Sequence, residues 1–352
     1  MNIKEILEKV VNLRASDLHL TIGVPPTVRI NGVLFPMSGY DPLKVEDLEN
    51  LIFGLVNQEQ KELLLINKEI DFSFSLASQA RFRVNTFYQK GYLSASLRNI
   101  PFKIPSIDEL NLPKILYELC KLPQGFVLIT GATGQGKSTT LASMLDYINE
   151  TRSVHIVSVE DPIEYVFPHK KSLVEQREMH LDTHSWEVAL RSILRQDPDV
   201  ILIGEMRDFE TISSAITMAE TGHLVFATLH TNSAAQSLDR IIDVFPEHQQ
   251  QQVRIQLSAS LEAVVSQRLV STLDNKRMPA CEVLLANGAV RNIIREGKTH
   301  QIDNVISTSL DLGMFTLEYS LANLVESGKI SLDEAKAKTL KSDALVRLLK
   351  NK

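Results

Sequence analysis

Gly131-Ala132-Thr133-Gly134-Gln135-Gly136-Lys137-Ser138 fits the spacing GxxxxGK[ST], with Thr139 directly after it. Glycines at this spacing let the backbone curl until several N–H groups point into one concavity, which suits a phosphate group. The run FVLIT before it reads as a strand and LASMLDYIN after it as a helix, so a helix N-terminus adds positive potential at the same place. On this pattern Thr133, Gly134, Gln135, Gly136, Lys137, Ser138 and Thr139 form a phosphate-binding set for a nucleotide with Mg²⁺. Lys137 reaches the β- and γ-oxygens, and the Ser138 hydroxyl holds the metal.

A phosphate cradle alone transfers nothing; a metal, an oriented water and charge stabilisation are also needed. Three further strand ends offer candidates. The apolar run Val200–Ile203 leads into Gly204-Glu205-Met206-Arg207-Asp208, which puts Glu205 at the carboxyl end of a buried strand, where α/β folds gather ligand groups. There Glu205 joins the Mg²⁺ water shell or polarises the attacking water; the same charge also fits a helix N-terminus. VHIVSV runs into Glu160-Asp161-Pro162-Ile163-Glu164, and either Glu160 or Glu164 is placed to act as general base for water. A solvated acidic loop accounts for those charges as well. His223 and His230 bracket the strand Leu224–Leu229, and His230 at its carboxyl end is positioned to sense the γ-phosphate, or simply to hydrogen-bond within a core. The remaining histidines, His19 and His155 among them, fall in no metal-ligand spacing.

Around these residues the chain divides. Residues 1–100 read as a small α/β domain: IKEILEKVVNL has helical spacing, and SDLHLTI alternates as a strand does. Asn31-Gly32 marks a turn after the short strand TVRI, a helical stretch covers about 44–67, and IDFSFSL, ARFRVNTFYQ and YLSASLRNI are strand-like. Residues 101–113, PFKIPSIDELNLP, form a stiff proline-containing linker. Residues 114–352 alternate apolar strands (FVLIT, VHIVSV, DVILIG, HLVFATL) with helical patterns near 137–150, 184–196 and 208–220, as a parallel sheet covered on both faces requires. Past about Phe245 the pattern is helical, broken by the strand-like run ACEVLLA.

Composition narrows the function classes. The 352 residues carry 37 Lys+Arg against 43 Asp+Glu, a net charge of −6, with 44% hydrophobic residues, which excludes a disordered chain. The first hundred residues are charge-balanced, and no basic cluster suited to nucleic acid is visible. No apolar run approaches the ~18 residues of a transmembrane segment. The start of the chain does not read as a signal peptide. Cys120 and Cys281 are too few and too far apart for a disulfide framework or a CxxC zinc site, so reduced core thiols and a cytoplasmic setting are expected.

Four motifs stand in order, GATGQGKSTT, VEDPIEYVF, DPDVILIGEMRD and TGHLVFATLHTNSAAQSLDRIIDVFP. Together they resemble the Walker A, Asp, Walker B and His boxes of the secretion ATPase superfamily. ASDLHLTIGVPPTVRINGVL, ARFRVNTFYQ, QREMHLDT and AVRNIIREGK extend the likeness over nearly the whole chain, toward the PilT-like retraction ATPases of type IV pili. The resemblance implies an α/β fold with a RecA-like P-loop ATPase core and a smaller PAS-like α/β N-terminal domain. It implies a homo-hexamer with ATP between adjacent parts, acting on an inner-membrane pilus platform protein, with a paralogous pilus ATPase as a further candidate partner. The setting implied is cytoplasmic, peripheral at the inner face of the cytoplasmic membrane.

Within that family the Walker B and Asp-box glutamates support hydrolysis, here Glu205 and Glu164, and N-terminal-domain arginines complete the nucleotide site, here Arg81, Arg83 and Arg98. A guanidinium suits charge spread over a transferring phosphoryl group, although an exposed strand face with alternating arginines fits the same residues. AVRNIIRE resembles a motif of retraction rather than assembly motors; it is equally an amphipathic packing helix. A mechanochemical ATPase, a nucleotide-gated binding subunit and a RecA-like DNA translocase are the classes to separate; the charge balance disfavours the last.

Overall fold

The computed structural model describes residues 1–30, 32–76, 80–100, 103–339 and 341–350. Asn31 of the expected turn and Pro101 and Phe102 of the expected linker lie outside the described residues. The chain divides into two units, Met1–Lys103 with Pro162–Val166, and Ile104–Asp161 with Phe167–Lys352.

The first unit runs α1 (Ile3–Asn12), β1 (Asp17–Leu20), β2 (Thr27–Ile30), β3 (Val33–Pro36), α2 (Val45–Phe53), α3 (Gln58–Asn67), β4 (Glu69–Leu76), β5 (Ala80–Gln89) and β6 (Tyr92–Ile100). Its strands form an antiparallel sheet in the order β3-β2-β1-β6-β5-β4. Strand period two sends Leu18, Leu20, Phe82, Val84 and Leu97 into one core with Ile6, Leu7, Leu48, Leu51 and Leu64 of the helices. The opposite face receives Arg81, Arg83 and Arg98. The helical stretch expected over 44–67 is two helices. Gly54 closes α2, and Asn57 opens α3 with a capping box, its Oδ1 accepting the Gln60 N–H at 2.8 Å while the Gln60 Oε1 accepts the Asn57 N–H at 3.0 Å.

The second unit runs α4 (Ile115–Leu119), β7 (Gly125–Thr130), α5 (Lys137–Thr151), β8 (His155–Glu160), β9 (Leu173–Glu178), α6 (Trp186–Ile193), β10 (Val200–Ile203), α7 (Phe209–Glu220), β11 (Leu224–Leu229), α8 (Ala234–Asp243), α9 (Glu247–Ser260), β12 (Leu261–Ser271), β13 (Arg277–Leu285) and α10 (Gly288–Glu296). Four helices follow: α11 (Ile302–Thr308), α12 (Leu317–Glu326), α13 (Leu332–Lys338) and α14 (Ser342–Lys350). The sheet order is β13-β12-β7-β11-β10-β8-β9, parallel throughout except for the antiparallel β12–β13 pair. Phe126, Leu128, Val157, Val159, Ile201, Ile203, Val225 and Ala227 alternate onto one face, where α6 to α10 bury them; Val127 and Ile129 alternate onto the other, and α5 packs on β7.

β12 is absent from the sequence reading, which takes the chain after Phe245 as helical apart from ACEVLLA. It follows α9 with no turn residue between, and Glu262, Ser266, Gln267 and Arg268 interrupt its apolar run. β3 and β9 also lack a signal, because both are edge strands: β3 is exposed along its whole length, and β9 is mostly polar. The stretch Ile104–Pro113 is tied into the second unit. Ile107 and Leu112 are buried, and Ser143 Oγ donates to Pro105 O at 2.5 Å. Cys120 and Cys281 are buried and free, and burial pushes each thiol up to about 12. Among the described residues no helix is long and apolar enough to cross a membrane.

Candidate functional site

β8, β10, β11 and β7 lie side by side and parallel, so their carboxyl ends form one row at the ~4.8 Å spacing of paired strands. Each tip delivers a candidate: Glu160 ends β8, Glu205 follows β10, His230 follows β11 and the glycine-rich loop follows β7. Parallel sheets present ligand groups at this edge.

The loop's shape is enforced by its neighbours. Gly131 has φ +146°, and a Cβ there would sit 2.5 Å from Gln267 O on β12, so only glycine fits. Gly136, at φ +84°, precedes the first turn of α5, whose opening amides have no acceptor within the helix. Lys137 is buried, and its Nζ donates to Gly131 O at 2.7 Å and to Ala132 O at 3.2 Å. The ammonium is therefore held against the loop rather than in solvent. Ser138 and Thr139 are half-buried in the same helical turn, Gln135 is half-buried, and Thr133 and Gly134 are exposed.

His230 joins the loop to the next strand tip. Its Nδ1 lies 3.4 Å from Thr133 Oγ1, and its Nε2 lies 3.3 Å from Glu205 Oε2. A carboxylate only accepts, so the proton of a neutral imidazole sits on Nε2, and Nδ1 accepts from the threonine hydroxyl. Glu205 Oε1 pairs with Arg207, and Glu205 is largely buried while Arg207 is exposed. The carboxylate is fixed from behind as well. Thr228 Oγ1 donates to Gly204 O at 2.6 Å, and the Met206 N–H to Thr228 O at 3.1 Å. Gly204 lets β10 approach β8, since a Cβ there would lie 3.2 Å from Glu160 Cα. Thr133, His230 and Glu205, from three separate motifs, are thus one hydrogen-bonded chain.

The other expected site residues are distributed as follows. Glu160 is buried, and its Oε1 accepts from Ser158 Oγ at 2.7 Å and from Gln176 Nε2 at 3.1 Å. Glu164 groups with the first unit, where its Oε1 lies 3.8 Å from Arg83 Nη1. Arg98 Nε lies 3.2 Å from Asp17 Oδ1, and Arg81 Nη1 lies 3.5 Å from Ser75 Oγ. His223 does not join the His230 cluster. It precedes β11, its Nδ1 facing Met218 O at 2.9 Å and Thr221 Oγ1 at 3.2 Å, and its carbonyl accepts the N–H of Gly125 at the start of β7. A strand of six residues puts it ~20 Å from His230, at the opposite edge of the sheet.

Gln267 and Arg207 escaped the sequence reading as site residues. Gln267 lies on the unrecognised β12, whereas Arg207 stands within the Walker B-like run as a charge of opposite sign two residues from Glu205. Among the described residues no group of three or more His, Cys, Asp or Glu side chains gathers to hold a metal ion.

The chain is similar to known proteins over nearly its whole length. The family model described as type II/IV secretion system protein matches residues 68–309. The type IV pilus retraction ATPase PilT of Pseudomonas aeruginosa is 47% identical over 96% of this chain and 98% of its own. The type IV pilus ATPase PilU of the same organism is 43% identical over 96% of this chain and 88% of its own. A crystal structure of the pilus retraction motor PilT with bound ADP superposes with a TM-score of 0.92 at 46% identity, covering 99% of both chains. By the family model over residues 68–309 and by full-length relatives in sequence and fold, the chain belongs to the type II/IV secretion system protein family.

Proposed function

We propose that this chain is an ATP-hydrolysing motor that powers type IV pilus retraction and the twitching motility it drives. The observation that carries the reading is its full-length likeness to a retraction ATPase, in sequence and in fold. The Thr133–His230–Glu205 chain supplies the chemistry. The phosphate loop and Lys137 bind the triphosphate. Glu205 or Glu164 takes the proton of the attacking water, and His230 links the occupied loop to Glu205.

Mg²⁺ fits the donor set. Ser138 offers a hydroxyl and Glu205 a carboxylate, and Mg²⁺ favours oxygen ligands shared with phosphates and water. When bound it supplies charge neutralisation between the phosphoryl oxygens. Glu205 already accepts from Arg207 and His230, which suits it to hold water rather than to surrender both oxygens to a metal.

In this reading residues 1–100 are the PAS-like domain, 101–113 the linker and 114–352 the RecA-like ATPase domain. Six copies form a ring, and Arg81, Arg83 and Arg98 act on nucleotide. Different affinities of open and closed states for ATP and ADP perform the work on a membrane-embedded platform protein, with the ring peripheral to the cytoplasmic face of the membrane. An accessory role beside a main motor is the second reading, favoured by the likeness to PilU. Gene deletion scored for twitching and surface pilus number tests the proposal. Retraction requires loss of twitching with excess pili; bald cells refute it, and normal twitching points to the accessory role.

A further inference from the structure

The buried side chain of Gln267 is fully committed to the phosphate loop, although it belongs to a different strand. Its Nε2 donates to Gln135 O at 2.7 Å, and its Oε1 accepts from Thr140 Oγ1 at 2.7 Å, so one amide spans the loop and the first turns of α5. The loop answers in kind, because Gln135 Oε1 accepts the Leu269 N–H of β12 at 2.7 Å. A Cβ at Gly136 would meet Gln267 Nε2 at 3.0 Å, so a bare backbone is needed where the two segments touch.

The consequence lies in the peptide linking Gln135 and Gly136. A trans peptide is planar, with its C=O and N–H antiparallel. Drawing the Gln135 carbonyl toward Gln267 therefore turns the Gly136 N–H away from β12. Glycine, at φ +84° here, populates positive and negative φ about equally, so the local sequence leaves the orientation of the peptide open. We propose that Gln267 is a positioning residue that holds the 135–136 peptide with its N–H aimed into the phosphate loop, preorganised for the diphosphate of a bound nucleotide. A preset amide adds to affinity because the loop need not reorient on binding. The inference rests on the reading of residues 131–138 as the nucleotide-binding loop.

The test uses the full-length protein and a fluorescent ADP analogue with Gln267→Leu, which keeps the bulk and removes both hydrogen bonds. Affinity is expected to fall about tenfold or more, the scale of one lost amide contact to an anion, and the KM for ATP to rise more than kcat falls. The melting temperature without nucleotide should stay near wild type while the stabilisation by ADP shrinks. Thr140→Val, which removes only the donor to Gln267 Oε1, should give a smaller loss in the same direction, and it serves alone if Gln267→Leu does not fold. Wild-type ADP affinity in Gln267→Leu overturns the proposal, as does wild-type affinity in Thr140→Val where only that variant folds. An affinity loss matched by an equal drop in nucleotide-free stability reduces Gln267 to a packing residue and also overturns it. Lys137→Ala is the control: if it too binds ADP normally, the loop assignment itself has failed.

Discussion

Glu282 on β13 is 7% exposed, and its Oε1 accepts the Ala234 N–H at 2.7 Å at the start of α8, four residues past His230. Burial raises its carboxyl from 4.5 to about 7; the Ala234 amide and Lys341 oppose the rise, and Asp303 and Glu318 add to it. The native state thus holds a proton that the unfolded chain releases at lower pH. Its stabilising effect is complete below about pH 4.5 and is lost as pH rises through about 7. At ~1.4 kcal/mol per tenfold, the ionised carboxylate costs roughly 3 kcal/mol above pH 7. Glu282→Gln cannot ionise, and its amide oxygen still accepts from Ala234. Relative to wild type, the variant should gain from about 1 kcal/mol at pH 5 to roughly 3 kcal/mol at pH 8.5. Urea unfolding of both proteins at four pH values across that range reads the difference. A difference that stays flat with pH, or a variant weaker at pH 8.5, would show that Glu282 is not held protonated by its burial.

Glu205→Gln keeps the shape but removes the charge facing His230 and Arg207, so ATP turnover should fall about 100-fold or more with ADP binding retained, checked by phosphate release and calorimetry. Gly131→Ala forces a Cβ to within 2.5 Å of Gln267 O at φ +146°, a strain of about 1–3 kcal/mol, and should abolish ADP-induced stabilisation in a thermal-shift assay. Arg98→Ala removes an exposed partner of Asp17; the melting point should barely move, while ATP turnover by the full-length protein should drop at least ~10-fold if the guanidinium meets nucleotide.

The candidate site was legible wherever local spacing carries the chemistry. The glycine-lysine loop is contiguous, and Glu205 and His230 each follow a short, mostly apolar strand-like run between helical patterns, as the strands of a parallel sheet do. Strand ends alone do not say which edge a residue occupies, which is why His223 entered beside His230 although a strand's length separates them. Support from other strands was not legible. Gln267 reaches the loop only because β12 lies against β7, a pairing across more than a hundred residues. The break at residues 54–57 is a local capping box inside an otherwise helical pattern, so local capping chemistry overrode periodicity there.

In the proposed function the loop and the neighbouring strand tips form one ATP-hydrolysing site. Steady-state ATP hydrolysis by the purified full-length chain and by Lys137→Ala tests it most directly. Turnover is expected in the wild type and none above background in the variant, whose loop lacks the ammonium that contacts Gly131 O and Ala132 O. Equal rates in the two proteins would contradict it.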